Sequence, residues 1–161
     1  MNKDKIELIL EHELFVNNMK KCMDYEKERI YCKHDIYHSF DVARICYIII
    51  LENKMNYSRE LVYALALLHD IGRARQYEFG EKHNEVGSEL AAIIMHDVGF
   101  QVQEISLVKN VILEHSGEHI LEPPSSLDKG FFQADFLARK CMWCNAKKTC
   151  KWMTKNIKNG I

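Results

Sequence analysis

At 161 residues the chain is long enough to bury about 70% of the surface its unfolded form would expose, which fits one domain with its own core. Its 22 lysines and arginines nearly balance 23 aspartates and glutamates, for a formal net charge of -1. No basic field therefore points to a nucleic-acid polymer, and no acidic tail points to disorder. The longest apolar run, Ile45 to Leu51, is far too short to span a bilayer, and no signal-like segment is visible. A cytoplasmic protein with reduced cysteines and no membrane partner is expected.

Ile6, Ile9, Leu10 and Leu14 follow helical spacing near the N-terminus, and a second, charged stretch continues through Met19 and Met23 toward Ile30. From Tyr37 to Lys54, His38, Val42, Ile45 and Ile49 step along one face, with Asp35 placed to cap the helix. Ser58 offers the next N-cap, for a helix carrying Leu61, Leu65, Leu68 and His69 that Gly72 can end. Lys82 to Met95 puts His83, Val86, Gly87, Leu90 and Ile94 on one side, with Gly99 as its stop. Gln101 to His115 carries Val102, Ile105, Val108, Val111 and Ile112. Gly117 and the only prolines, Pro123 and Pro124, then delimit a loop to about Ser126. Leu127, Phe131, Asp135 and Ala138 form a last stripe. Without repeats, long linkers or hairpin signals, the expectation is an all-α, single-domain helical bundle spanning 1–161.

The dipeptide His-Asp occurs three times. His96-Asp97 closes an amphipathic helix, where a histidine near the C-terminus and a glycine stop are ordinary. His34-Asp35 is accounted for by the cap. His69-Asp70 follows Leu65-Ala66-Leu67-Leu68, a run too apolar for a solvated surface, and neither side chain tolerates burial without a partner. Apolar stripes are interrupted in the same way by His38, His83 and Asp135, and His115 ends a fifth. Facing stripes of a bundle bring such groups together, and a mixed imidazole and carboxylate set suits Mn, Fe, Co, Ni or Zn, with Mg as an alternative.

His38 followed by Val42-Ala43-Arg44, then Leu67-Leu68-His69-Asp70-Ile71-Gly72-Arg73, then Ala134-Asp135, resembles the HD-domain superfamily of metal-dependent phosphohydrolases. The likeness covers about 30–140, leaving a cysteine-containing segment, 141–161, expected to pack on that core. The resemblance implies His38, His69, Asp70 and Asp135 as ligands of a first divalent metal. It offers His83 and His115 either as ligands of a second ion bridged by Asp70 or as groups orienting phosphate or water. His119 is the one further histidine available for a dinuclear site.

The implied reaction is attack of a metal-activated water on phosphorus, with Asp70 orienting or deprotonating that water and Arg73 beside it. Arg73, Lys129 and Arg139 are the phosphate-binding candidates. The implied substrate is a small phosphorylated molecule, a nucleotide by family analogy. A module that binds metal and nucleotide without turnover, and a di-iron oxygenase on the same fold, are the alternatives. Homo-oligomer formation is left open. Cys141, Cys144 and Cys150 form C-x2-C-x5-C, one thiol short of a four-cysteine zinc site that Cys22, Cys32 or Cys46 could complete; core packing is the simpler expectation for these thiols.

Overall fold

A computed structural model describes residues 3–115 and 126–150. Among them the regular elements are α1 (Lys5–Glu11), α2 (Glu13–Tyr25), α3 (Ile36–Glu52), α4 (Arg59–Leu68), α5 (Arg73–Phe79), α6 (His83–Asp97), α7 (Val102–Leu113) and α8 (Leu127–Leu137). A 3-10 turn at Cys141–Trp143 follows. The all-α expectation holds. No helix among the described residues is long and apolar enough to cross a membrane. The loop around Gly117 and the prolines, His119, and residues 151–161 lie outside the described residues.

Helix starts follow local chemistry. Asp35 accepts the backbone N–H of His38 at 2.9 Å, and Ser58 accepts that of Leu61 at 3.2 Å. Each cap satisfies a donor that the first turn would otherwise leave unpaired, worth about 1 kcal/mol. Gln101 and Glu104 close α7 reciprocally as a capping box. The N-terminal helix breaks earlier than its apolar spacing predicts, because His12 turns extended and its ring accepts the Leu14 N–H to start α2. α2 stops at Tyr25, short of Ile30.

At the centre is α4, in which seven of ten residues are buried: Leu61, Val62, Ala64, Leu65, Ala66, Leu67 and Leu68. Burying each of its leucines contributes about 1.5–3 kcal/mol. α3 packs on α4 and α8, α6 on α7, and α2 on α5, so α4 is wrapped by neighbours. α8 buries Leu127, Phe131 and Asp135 as its stripe predicts. One difference matters for the site. The helix expected to run to Gly72 ends at Leu68, His69 to Gly72 form a turn, and α5 begins at Arg73. Arg73 to Phe79 lacks an apolar period, and it becomes helical in this tertiary setting rather than from its own pattern.

That turn is held by close backbone approach. A Cβ added at Gly72 would stand 2.1 Å from the His83 carbonyl oxygen and 2.7 Å from the Gly87 nitrogen. Only glycine lets the turn dock on the start of α6, which fixes His83 beside His69 and Asp70. Gly72→Ala is expected to cost at least about 2 kcal/mol in urea unfolding, because backbone cannot yield as side chains do. Gly130→Ala meets its first atom, the Ile50 side-chain tip, at 3.4 Å, and is expected to stay within about 1 kcal/mol of the parent. Equal behaviour of the two variants would contradict this packing.

Candidate metal centre

Four helices and two connections converge at the end of α4. His69 is wholly buried, and its Nδ1–H donates to the Ala66 carbonyl at 2.7 Å. A carbonyl can only accept, so the neutral ring carries its proton on Nδ1 and presents Nε2. That Nε2 is buried and, in the neutral ring, carries no proton to donate. It lies 2.9 Å from Asp70 Oδ2 and 3.9 Å from Asp135 Oδ1. His38, on the first turn of α3, brings its Nε2 to 3.0 Å from Asp135 Oδ1. Two sets of ligand atoms fall within 4.8 Å of one another, His38/His69/Asp135 and His69/Asp70/His115. They share His69, whose other nitrogen is already committed, so they describe one continuous centre.

Each carboxylate has an arginine behind it. Arg73 Nε donates to Asp70 Oδ1 at 2.8 Å, and its Nη1 donates to Gln76 Oε1 at 3.3 Å. Arg139, one turn beyond Asp135 on the same face, donates to Asp135 Oδ2 at 3.3 Å. Burial alone would raise both carboxyl pKa values, but His69 and Arg73 hold Asp70 well below the usual range. The imidazoles of His38, His69 and His115 do the same for Asp135. For His69, burial opposes the charged form, yet Asp70 and Asp135 raise it to about 9. Without a metal ion, a proton on His69 compensates the paired carboxylates.

His115 follows α7 and stacks on Phe132, with ring centroids 5.8 Å apart, while its Nε2 lies 3.7 Å from Asp135 Oδ2. His83 opens α6 with its Nε2 buried and without a hydrogen-bond partner, as is Nδ1 of His115. Burial, then the neighbouring Arg73, push His83 down to about 4; burial and His69 lower His115. Both rings are neutral near pH 7 and able to offer lone pairs. A cavity of about 460 Å³ opens over this centre, lined by His38, Asp70, Arg73, His83, His115, Asp135 and Arg139 among others. Lys129 is not among the lining residues. It precedes Asp135 by six positions, about one and two-thirds turns, which puts it on a different face of α8.

His34, which the cap accounts for in sequence terms, also lines the cavity. Asp35 does cap α3, but the His34 backbone N–H donates to Glu26 Oε2 at 2.6 Å and its Nδ1–H to Glu26 Oε1 at 2.6 Å. Tyr77 O–H completes the set on Glu26 Oε1 at 2.6 Å. Nε2 of His34 then faces Asp70 Oδ2 at 4.0 Å. The spacing of His34 and His38, four residues apart, was the available sequence signal. Arg29, Tyr31 and Lys33 from the same loop line the cavity too. His96-Asp97 stays at the exposed end of α6, where Asp97 pairs with His96 and His12.

The HD domain family model matches residues 35–140, and the chain belongs to that family. An uncharacterized protein of Clostridium beijerinckii is 33% identical over 149 residues, covering 92% of each chain. Ribonuclease Y of Enterococcus faecalis is 33% identical over 88 residues, 55% of this chain but 15% of that protein. A crystal structure of a predicted HD superfamily hydrolase from an uncultured Thermotogales bacterium superposes with a TM-score of 0.60 at 28% identity, covering 79% of this chain and 67% of the other.

The Glu26 network makes a prediction about acid stability. Burial opposes ionisation of Glu26, but hydrogen bonds from His34 and Tyr77 lower its pKa from 4.5 to about 2. A depressed carboxylate contributes stability that is present above its unfolded value and lost as pH falls through its folded value. Thermal melts of the wild type should therefore lose more stability between pH 4.5 and 2 than those of Glu26→Gln. Parallel curves would contradict the assignment.

Proposed function

We propose that this protein is a metal-dependent phosphohydrolase acting on a small phosphorylated molecule of the nucleotide class, with His38, His69, Asp70 and Asp135 as ligands of a divalent cation. The observation that carries the proposal is the buried Nε2 of His69, set between the Asp70 and Asp135 carboxylates where only a proton or a cation can compensate them. That donor set, imidazole with carboxylate, fits Mn, Fe, Co, Ni or Zn, with Mg as an alternative. When bound, such an ion lowers the pKa of a coordinated water toward neutrality and polarises a phosphoryl oxygen.

The remaining work falls to side chains. The Ala66 carbonyl fixes the His69 ring, and Arg73 fixes Asp70 by holding Oδ1 while Oδ2 faces the centre. Arg73 is in this reading a positioning residue for Asp70 as well as part of the cavity wall. Asp70 is ionised and able to accept a hydrogen bond from a water within reach, and so to orient it. His83 and His115, neutral and facing the same space with His34 beside them, would supply lone pairs together with Asp70 to a second ion; with one ion they would orient water or phosphate. Arg29, Lys33, Arg73 and Arg139 give the cavity wall a cationic lining suited to phosphate. Tyr31 on the same wall offers a ring for a base to stack on.

Two partial relatives support the substrate class by their names. One is ribonuclease Y. The other, from Gluconobacter oxydans, is a bifunctional uridylyltransferase/uridylyl-removing enzyme, 38% identical over 58 residues and matched over 6% of its length.

Chelator-treated protein should release no phosphate from a panel of nucleoside mono-, di- and triphosphates, and added Mn2+ or another transition ion should restore turnover. Asp70→Ala should lower the restored rate by more than about 100-fold, the loss expected from indirect support residues alone. Arg139→Ala should raise KM, whereas Lys129→Ala should leave it within about twofold, since Lys129 lies off the cavity. Metal-loaded protein that binds nucleotides but turns none of them over would replace hydrolysis with a sensing role.

A further inference from the structure

The loop between α2 and α3 delivers a histidine whose ring is fixed from behind. Glu26, buried where α2 ends, gathers three hydrogens on one carboxylate. The His34 backbone N–H donates to Oε2, and the His34 Nδ1–H and Tyr77 O–H donate to Oε1, each at 2.6 Å. Burial opposes ionisation of Glu26, yet the His34 and Tyr77 hydrogen bonds hold its pKa down to about 2, so near pH 7 the carboxylate only accepts. The neutral His34 ring therefore carries its proton on Nδ1 and turns the lone pair of Nε2 into the cavity that it lines.

That lone pair meets a second acceptor. Nε2 of His34 lies 4.0 Å from Oδ2 of Asp70, whose Oδ1 is already held by Arg73. The separation exceeds a direct hydrogen bond, and neither the bare ring nitrogen nor the ionised carboxylate has a hydrogen to share. A single water spans such a gap, its oxygen about 2.8 Å from each acceptor and one hydrogen on each. Held by both hydrogens, the water turns its oxygen lone pairs away from His34 and Asp70 and toward the cavity, where Arg73 and Arg139 line the wall for phosphate. Anchoring of the loop accounts for the backbone and Tyr77 bonds to Glu26. It does not account for a ring clamped so that its other nitrogen faces a buried aspartate.

We propose that His34 is a positioning residue for the water that attacks phosphorus, with Nε2 of His34 and Oδ2 of Asp70 each accepting one of its hydrogens. Glu26 and Tyr77 act through His34 by keeping the ring in the tautomer and orientation that accept. Holding the water makes and breaks no covalent bond, and the role rests on the phosphohydrolase reading. A misplacement of about 1 Å in such an oxygen costs about 100-fold in rate, which sets the size of the effect.

The test uses the full-length, metal-loaded chain and a nucleotide that the wild type turns over. His34→Ala is expected to lower kcat by about 100-fold with KM within about threefold, because the water rather than the nucleotide loses its contact. Glu26→Gln keeps the ring but reverses it. The His34 backbone N–H needs an oxygen where Oε2 stands, so the amide nitrogen takes the Oε1 position and donates to Nδ1, which moves the ring proton to Nε2. The same fall in kcat is expected, and nitrogen NMR spectra of histidine-labelled protein should show Nδ1–H in the wild type and Nε2–H in Glu26→Gln. Should His34→Ala fail to fold, Glu26→Gln and these spectra decide. An active wild type whose kcat either variant leaves within about twofold, or whose His34 proton lies on Nε2, overturns the assignment and leaves hydrolysis standing. A metal-loaded wild type that turns over no nucleotide removes the hydrolytic reading and this role with it.

Discussion

The structure depends on where α4 stops. Its buried leucines and alanines force the helix into the middle of the bundle, so the residues that follow emerge inside the protein. His69 and Asp70 are those residues, and an imidazole and a carboxylate in that position must find compensation for lost water. The Ala66 carbonyl takes one nitrogen of His69, Arg73 takes one oxygen of Asp70, and the two remaining atoms face each other at 2.9 Å. What α3, the residue following α7's cap, and α8 contribute, through His38, His115 and Asp135, completes a set that neutral packing would not assemble. A bound cation would satisfy both carboxylates and the His69 nitrogen together.

Two glycines make that arrangement possible. Gly72 and Gly87 let the turn after α4 lie directly on the backbone of α6, which brings His83 into the cavity. Site geometry and core packing are therefore one problem at this turn. The α2–α3 loop adds a second layer through buried Glu26, which draws the His34 backbone, the His34 ring and the Tyr77 hydroxyl onto one carboxylate. Arg29, Tyr31 and Lys33 are delivered to the cavity wall by the same loop.

Much of this was legible in the sequence because polar groups interrupt otherwise apolar stripes. His38, His69 and Asp135 each occupy a position where an aliphatic residue would pack, and helical spacing alone predicts that they face the core. His34 was concealed by a correct explanation of its neighbour: Asp35 is a cap, which accounts for the dipeptide without accounting for the ring. α5 was hidden because Arg73 to Phe79 carries no apolar period and takes its helix from the docked turn. Lys129 is close in sequence to Asp135 but is placed by the helical repeat on another face of α8.

Anomalous diffraction from crystals grown with Mn2+ probes the end of α4 as a metal centre. A peak is expected among His38, His69, Asp70 and Asp135, with any second peak near Asp70, His83 and His115. Difference maps with no anomalous density among those four side chains, while His69 and Asp70 keep their direct contact in Mn2+-saturated crystals, would contradict it.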